Sequence, residues 1–361
     1  MGKIMSREGA KSNYFEKIPS EEEDRYTDVS TSYKISVYGA DFTISVLHEK
    51  LINGEIIIPD FQRRYVWDKR RASRLIESFL LNIPVPSIFV FREPKTQKLL
   101  VVDGQQRLKT IQFFLDGKFI DDKDFSLKGV QPSLEGKTYK KLSTHDQIRL
   151  KDSILRTVIF EQKDIDDNKS MYQIFERLNT ETSVLKDQEI RNALYRGKFN
   201  ELLKKLNREE KWRKLMGRDE PLPRMRDVEL ILRFLALYYD MEKYSKPMKQ
   251  FLNNFMKKEQ NISPSKKKKY EKLFLKTINL IFQGLGQSAF KHRVGINVAL
   301  FDALAVGTAK VKPKPEKLLS AKKKLLKKKG FLDSIEKHTT DKDKVLGRIN
   351  KTMSVLSENE S

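Results

Sequence analysis

Five consecutive residues gather groups suited to a phosphate: Asp103-Gly104-Gln105-Gln106-Arg107. They lie directly after the apolar run Leu99 to Val102 and directly before a segment with Leu108 and Ile111 at helical spacing. Glycine at a strand-to-helix junction permits close backbone approach, the helix N-terminus offers N–H groups to an anion, and Arg107 adds a full charge. Asp103 is a candidate to hold a Mg²⁺ water or to orient Arg107. Gln105 and Gln106 are candidates to position a water or bind a base. The bland alternative is that Asp103 only caps the helix.

A second constellation runs from Ile58 to Trp67, where a strand ends at Pro59 and amide, guanidinium and aromatic groups follow. Arg63 or Arg64 could hold a phosphate through a bidentate fork, Gln62 could donate and accept, and Tyr65 or Trp67 could cover an apolar moiety. Against this, Tyr65, Val66 and Trp67 could simply cap the core while the arginines snorkel. That bland reading is preferred for Trp67 and not for Gln62 and Arg63. A third group, Arg177 and Asn179, emerges near the end of a helix whose apolar stripe is Met171, Ile174, Phe175 and Leu178.

Several chemistries are absent or weakly signalled. Cysteine is missing altogether, which removes disulfides, thiol nucleophiles and cysteine zinc sites. No Gly-x-x-x-x-Gly-Lys-Ser/Thr loop occurs, so any nucleotide chemistry depends on the Asp103 to Arg107 box. Four widely separated histidines, His48, His145, His292 and His338, form no HNH pattern, and a lone histidine is more often a surface or core residue than a ligand. Pro59-Asp60 followed by Glu93-Pro94-Lys95 superficially resembles a two-carboxylate metal nuclease, but Pro94 interrupts the strand that such a motif needs.

The elements that must position these residues read as follows. Ile35 to Val37, Ile56 to Ile58, Ser87 to Phe91, Leu99 to Val102 and Thr157 to Phe160 are expected strands, with the third and fourth paired through a loop at Pro94. Arg71 to Leu81 is an expected helix with Leu75, Ile76, Phe79 and Leu80 on one face. Another starts at a Thr144–Gln147 capping box and runs to about Leu155. Beyond about Arg191 the pattern turns helical, with faces at Val228, Ile231, Leu232, Leu235 and Tyr239, and at Met248, Phe251, Leu252 and Phe255. Pro313-Lys314-Pro315 breaks the chain before a basic helix. The expectation is a flexible leader over 1–34, an α/β domain over 35–190 and a helical domain over 191–361, an α+β chain overall.

Phe61-Gln62-Arg63 with Tyr65 and Trp67, then Asp103-Gly104-Gln105-Gln106-Arg107-Leu108, then Phe175-Glu176-Arg177-Leu178-Asn179 together resemble the three signature blocks of the DUF262 family, the N-terminal domain of GmrSD-type restriction systems. The first two blocks are also similar to ParB and sulfiredoxin folds. The resemblance implies a mixed α/β domain of ParB/sulfiredoxin type and a role in restriction of phage DNA. It also implies an NTP with Mg²⁺ as cofactor. By the same resemblance, Asp103, Gln105, Gln106 and Arg107 would form the nucleotide-hydrolysing box, with Asp103 facing the metal. Gln62, Arg63, Tyr65, Gly104, Arg177 and Asn179 would line the nucleotide or DNA pocket. Multidomain relatives carry an HNH nuclease, a motif not found in this sequence, so a separate nuclease partner is implied.

Composition is compatible with that reading. Lysine and arginine number 72 against 49 acidic residues, a formal charge of +23 that suits a polyanion such as DNA or RNA. Runs such as Lys266 to Lys269 and Lys322 to Lys329 could equally be solvated faces. No apolar stretch reaches membrane-spanning length and residues 1–26 lack a signal-peptide core, so a cytoplasmic location is expected. Three functions follow as expectations: an NTP-hydrolysing, DNA-binding defence protein; a non-enzymatic sensor of modified DNA working with a separate nuclease; and an RNA-binding or toxin-like protein.

Overall fold

The structure, a computed structural model, describes residues 35–59, 65–94, 96–120, 122–162, 172, 174, 186–222, 224–293 and 295–358. The expected leader over 1–34 lies outside the described residues. Two compact units divide the described chain, one over 35–194 and one over 195–358. The α+β expectation holds: a mixed α/β region comes first and a helical region follows. Among the described residues, no helix is long and apolar enough to cross a membrane.

The first unit contains β1 (Ile35–Thr43), α1 (Ile44–Ile52), β2 (Ile56–Ile57), α2 (Lys69–Leu80), β3 (Ile88–Arg92), β4 (Leu99–Asp103), α3 (Gln105–Asp116), α4 (Thr144–Asp152), β5 (Ile154–Gln162) and α5 (Asp187–Leu194). The sheet order is β1-β5-β3-β4-β2. β1 runs antiparallel to β5, β5 parallel to β3, β3 antiparallel to β4, and β4 parallel to β2. The expected β3–β4 pairing is present, with a bulge between Phe89 and Val90 that leaves Asp103 opposite Phe89 at the end of the ladder. β1 extends well past the expected Val37, because every residue to Thr43 finds a partner on β5.

Helix starts follow side-chain chemistry. Asp68 caps α2 by accepting the Arg71 N–H at 2.7 Å, and the expected face of Leu75, Ile76, Phe79 and Leu80 is buried. The cap of α4 sits one residue earlier than the Thr144 box suggests: Ser143 accepts from the Asp146 N–H. That helix stops at Asp152, since the Ser153 hydroxyl turns back to the Arg149 carbonyl and β5 begins at Ile154. Leu108, Ile111 and Phe114 of α3 are fully buried in the core of this unit. Each such side chain contributes about 1.5–3 kcal/mol on leaving water.

The second unit is built from α6 (Lys198–Leu206), α7 (Glu210–Met216), α8 (Arg226–Asp240), α9 (Met248–Glu259), α10 (Pro264–Leu285), α11 (Val298–Val311), α12 (Lys317–Lys327), α13 (Lys329–Glu336) and α14 (Lys342–Ser357). The expected faces of α8 and α9 are buried, apart from a half-buried Tyr239, and the Pro313–Pro315 break separates α11 from α12. Trp212 meets Phe274 and Phe301 edge-on at 5.5 and 5.8 Å, so these aromatics are packing groups. α11 is buried over most of its length, yet carries Asp302. Asp302 accepts from Arg233 of α8 at 3.1 and 2.6 Å and from Arg348 of α14 at 2.8 Å, and all three are buried. Arg348 also donates to the carbonyls of Thr339 and Ser334, which answers part of its desolvation.

Candidate functional site

Gly104 is the pivot between β4 and α3. Its φ of +98° lies in the left-handed region, and a β-carbon there would stand 2.2 Å from Ile88 Cγ2 on β3. Only glycine meets both conditions without strain. Gly104 is also the N-cap of α3, and no side chain caps that helix. Asp103, the residue that could have capped it, turns to Arg107 instead: Nη2 of Arg107 donates to Asp103 Oδ2 at 2.8 Å and to the Ser87 carbonyl at 3.2 Å.

This pair is unevenly exposed, with 45% of the Asp103 side chain accessible against 14% for Arg107. The guanidinium is thus held from one side by the end of β4 and from another by the residue preceding β3. Its Nε is buried and has no hydrogen-bond partner among the described residues. A half-buried cation with one unsatisfied donor, beside a helix N-terminus without a side-chain cap, is chemically suited to an anion.

Gln106 does something the sequence did not suggest. Its Oε1 accepts the backbone N–H groups of Val66 at 2.9 Å and Trp67 at 3.4 Å, fastening the segment before α2 to the first turn of α3. Gln105 is buried. Tyr65 joins the same joint: its hydroxyl bonds Thr110 at 2.6 Å, Thr110 donates to the Gln106 carbonyl, and the ring lies edge-on to Phe113 and Phe119 at 5.0 and 5.7 Å. Burial pushes the Tyr65 phenol up to about 12. Arg71 stacks over the Trp67 ring at 4.7 Å.

The structure therefore places two groups about the start of α3: the Asp103–Arg107 pair beside Gly104, and the clamp formed by Tyr65, Thr110 and Gln106. Gln62, Arg63, Arg177 and Asn179, with Asp60 and Arg64, lie outside the described residues. Sequence reasoning missed the Ser87 carbonyl and the Ile88 approach, which no local pattern encodes. Among the described residues, no group of three histidine or acidic side chains gathers as a metal site. His48 pairs with Asp116 at 2.7 Å and His292 with Glu336 at 2.9 Å, each within its own unit and away from this box in the chain.

The first unit is thus a mixed α/β domain whose five-stranded sheet leads through Gly104 into a helix that no side chain caps. Residues 44–196 match the family model of the GmrSD restriction endonuclease, N-terminal domain, so this segment is a DUF262-family domain, as its motifs implied. A comparison with curated proteins found no match.

Proposed function

We propose that the first unit binds a nucleoside triphosphate with Mg²⁺ at the Asp103–Arg107 box, and that turnover switches a restriction-type defence protein acting on DNA in the cytoplasm. The observation that carries this reading is Arg107, held at 2.8 Å by Asp103 with its Nε unpartnered, next to the uncapped start of α3. Arg107 and the first-turn N–H groups would receive phosphate oxygens, and Asp103 would share the metal. Mg²⁺ supplies charge neutralisation at those oxygens when bound. Gln62, Arg63, Arg177 and Asn179 belong to the proposed pocket by family resemblance.

A second reading is favoured by Gln106. Its carbonyl oxygen already holds two backbone N–H groups, so it is occupied as a clamp and is not free to orient a water. A box so engaged supports a binding module that senses DNA or nucleotide and leaves cleavage to a separate nuclease.

Mg²⁺-dependent phosphate release from each of the four ribonucleoside triphosphates, with wild type and Arg107→Ala, separates the two. Turnover abolished by the substitution supports the switch. Nucleotide binding by calorimetry with no turnover moves the assignment to the sensor, and neither binding nor turnover removes both nucleotide readings.

A further inference from the structure

Between Lys310 and Lys329 the chain places ten lysines against a single acid, Glu316. Nine of the +23 net charges are therefore concentrated in twenty residues, which span the end of α11, all of α12 and the start of α13.

The scaffold beneath this segment is firmly built. Leu318, Ala321 and Leu325 form the buried face of α12. Gly284 of α10 lets the helix approach closely, since a β-carbon there would stand 2.2 Å from the Pro315 carbonyl oxygen and 2.9 Å from Leu318 Cβ. Lys322 is spent on anchoring: it is half-buried, and its Nζ donates to the Ser288 carbonyl at 2.8 Å and approaches that of Lys291 at 3.5 Å. Lys324 is tied to Glu358.

Lys317 donates to the Glu358 carbonyl at 3.4 Å and Lys310 lies over the Tyr238 ring, but four other lysines face outward. Lys323, Lys327, Lys328 and Lys329 are exposed, and no ion pair ties any of them among the described residues. Lys323 and Lys327 are one turn apart on α12, about 6 Å along its axis. Duplex DNA presents one phosphate charge per about 1.7 Å of axis, dense enough for lysines at this spacing to find phosphate partners along the backbone.

The geometry points to this lysine face of the second unit as a docking surface for the phosphate backbone of duplex DNA, without sequence preference. It rests on the reading that the protein acts on DNA. Lysine supplies point charges, not the planar forks that read guanine edges, so the contacts position DNA and carry no sequence information. An anionic membrane is a poorer fit, because an interfacial helix needs a broad free apolar face, whereas Leu318, Ala321 and Leu325 of α12 are in the core and Leu319 is the one large apolar side chain of α12 that is exposed.

The test is fluorescence anisotropy of the full chain with a labelled duplex across a range of NaCl concentrations. Wild type is compared with K323Q/K327Q/K328Q/K329Q and with K267Q/K268Q/K272Q/K276Q, which removes equal charge from α10. The expected result is a log–log salt slope shallower by about 3–4 in the first variant, at about 0.9 per phosphate contact, and little change in the second. An unchanged first variant, an equal loss in the α10 variant, or preferential displacement by single-stranded RNA would overturn the assignment. Wild type that binds no duplex even at low salt would instead sink the DNA reading itself. The nucleotide reading is scored separately by phosphate release.

Discussion

Gln106 Oε1 accepts the Val66 N–H at 2.9 Å, so one amide on the first turn of α3 holds the chain that enters α2. The acceptor is the only part of the side chain this clamp requires. Gln106→Glu should therefore keep the clamp, whereas Gln106→Ala should speed hydrogen exchange at Val66 and Trp67, at a cost of about 1 kcal/mol. Exchange at those amides unchanged in the alanine variant would refute the clamp.

Arg107 donates from one nitrogen to both Asp103 and the Ser87 carbonyl. A lysine has neither the reach nor the planar donor set for this bridge. Arg107→Lys should weaken nucleotide binding about tenfold or more, which calorimetry would read, since charge-assisted contacts to phosphate are lost in geometry even with charge retained. Affinity within error of wild type would mean that Arg107 does not touch phosphate.

Gly104 combines positive φ with the Ile88 approach. Gly104→Ala should destabilise the first unit by roughly 2–5 kcal/mol, from backbone strain and overpacking together. Hydrogen exchange across β4 and α3 should rise while α11 and α14 keep their protection, and a variant with wild-type exchange throughout would disprove the requirement.

Removing Asp302 leaves two buried guanidinium groups, Arg233 and Arg348, with no shared counter-charge. Asp302→Ala should cost the helical unit about 3–5 kcal/mol. Chemical denaturation followed by circular dichroism reads the loss, and a shift under about 1 kcal/mol would show that the triad is relaxed by other partners.

Tyr65 makes stability sensitive to alkali. Its phenol rises from 10.0 to about 12 on burial, so the unfolded chain ionises first and its stabilising contribution is present below pH 10 and lost as pH climbs through about 12. Urea midpoints at about pH 11 should fall further from their neutral values in wild type than in Tyr65→Phe. Equal falls would assign the alkaline loss elsewhere, with Tyr239, also pushed up to about 12, the first residue to examine.

The strand–glycine–helix junction at Asp103–Arg107 was legible because an apolar run, a glycine and a helical stripe follow one another directly in the sequence. The buried stripes of α2, α8 and α9 were legible for the same kind of reason, since periodicity reports a buried face directly. What escaped depends on partners distant in the chain. The clamp from Gln106 to Val66 spans forty residues, and the placement of β5 between β1 and β3 is set by tertiary pairing that leaves no local mark. The triad did leave a trace: Asp302 interrupts the apolar run Val298 to Val306, and a carboxylate there demands a buried cation.

The position of β5 has a consequence for how the protein is made. It is the last of the five strands in sequence, yet it lies between β1 and β3. As the chain leaves the ribosome, β3, β4 and β2 can pair with one another, while β1 waits without a neighbour among the described strands until Gln162 has emerged. Insertion of a non-local strand is slow compared with closing a hairpin. The Asp103–Arg107 box is thus synthesised early but acquires its full sheet late, and any fragment ending before β5 would leave its two flanking pieces unjoined.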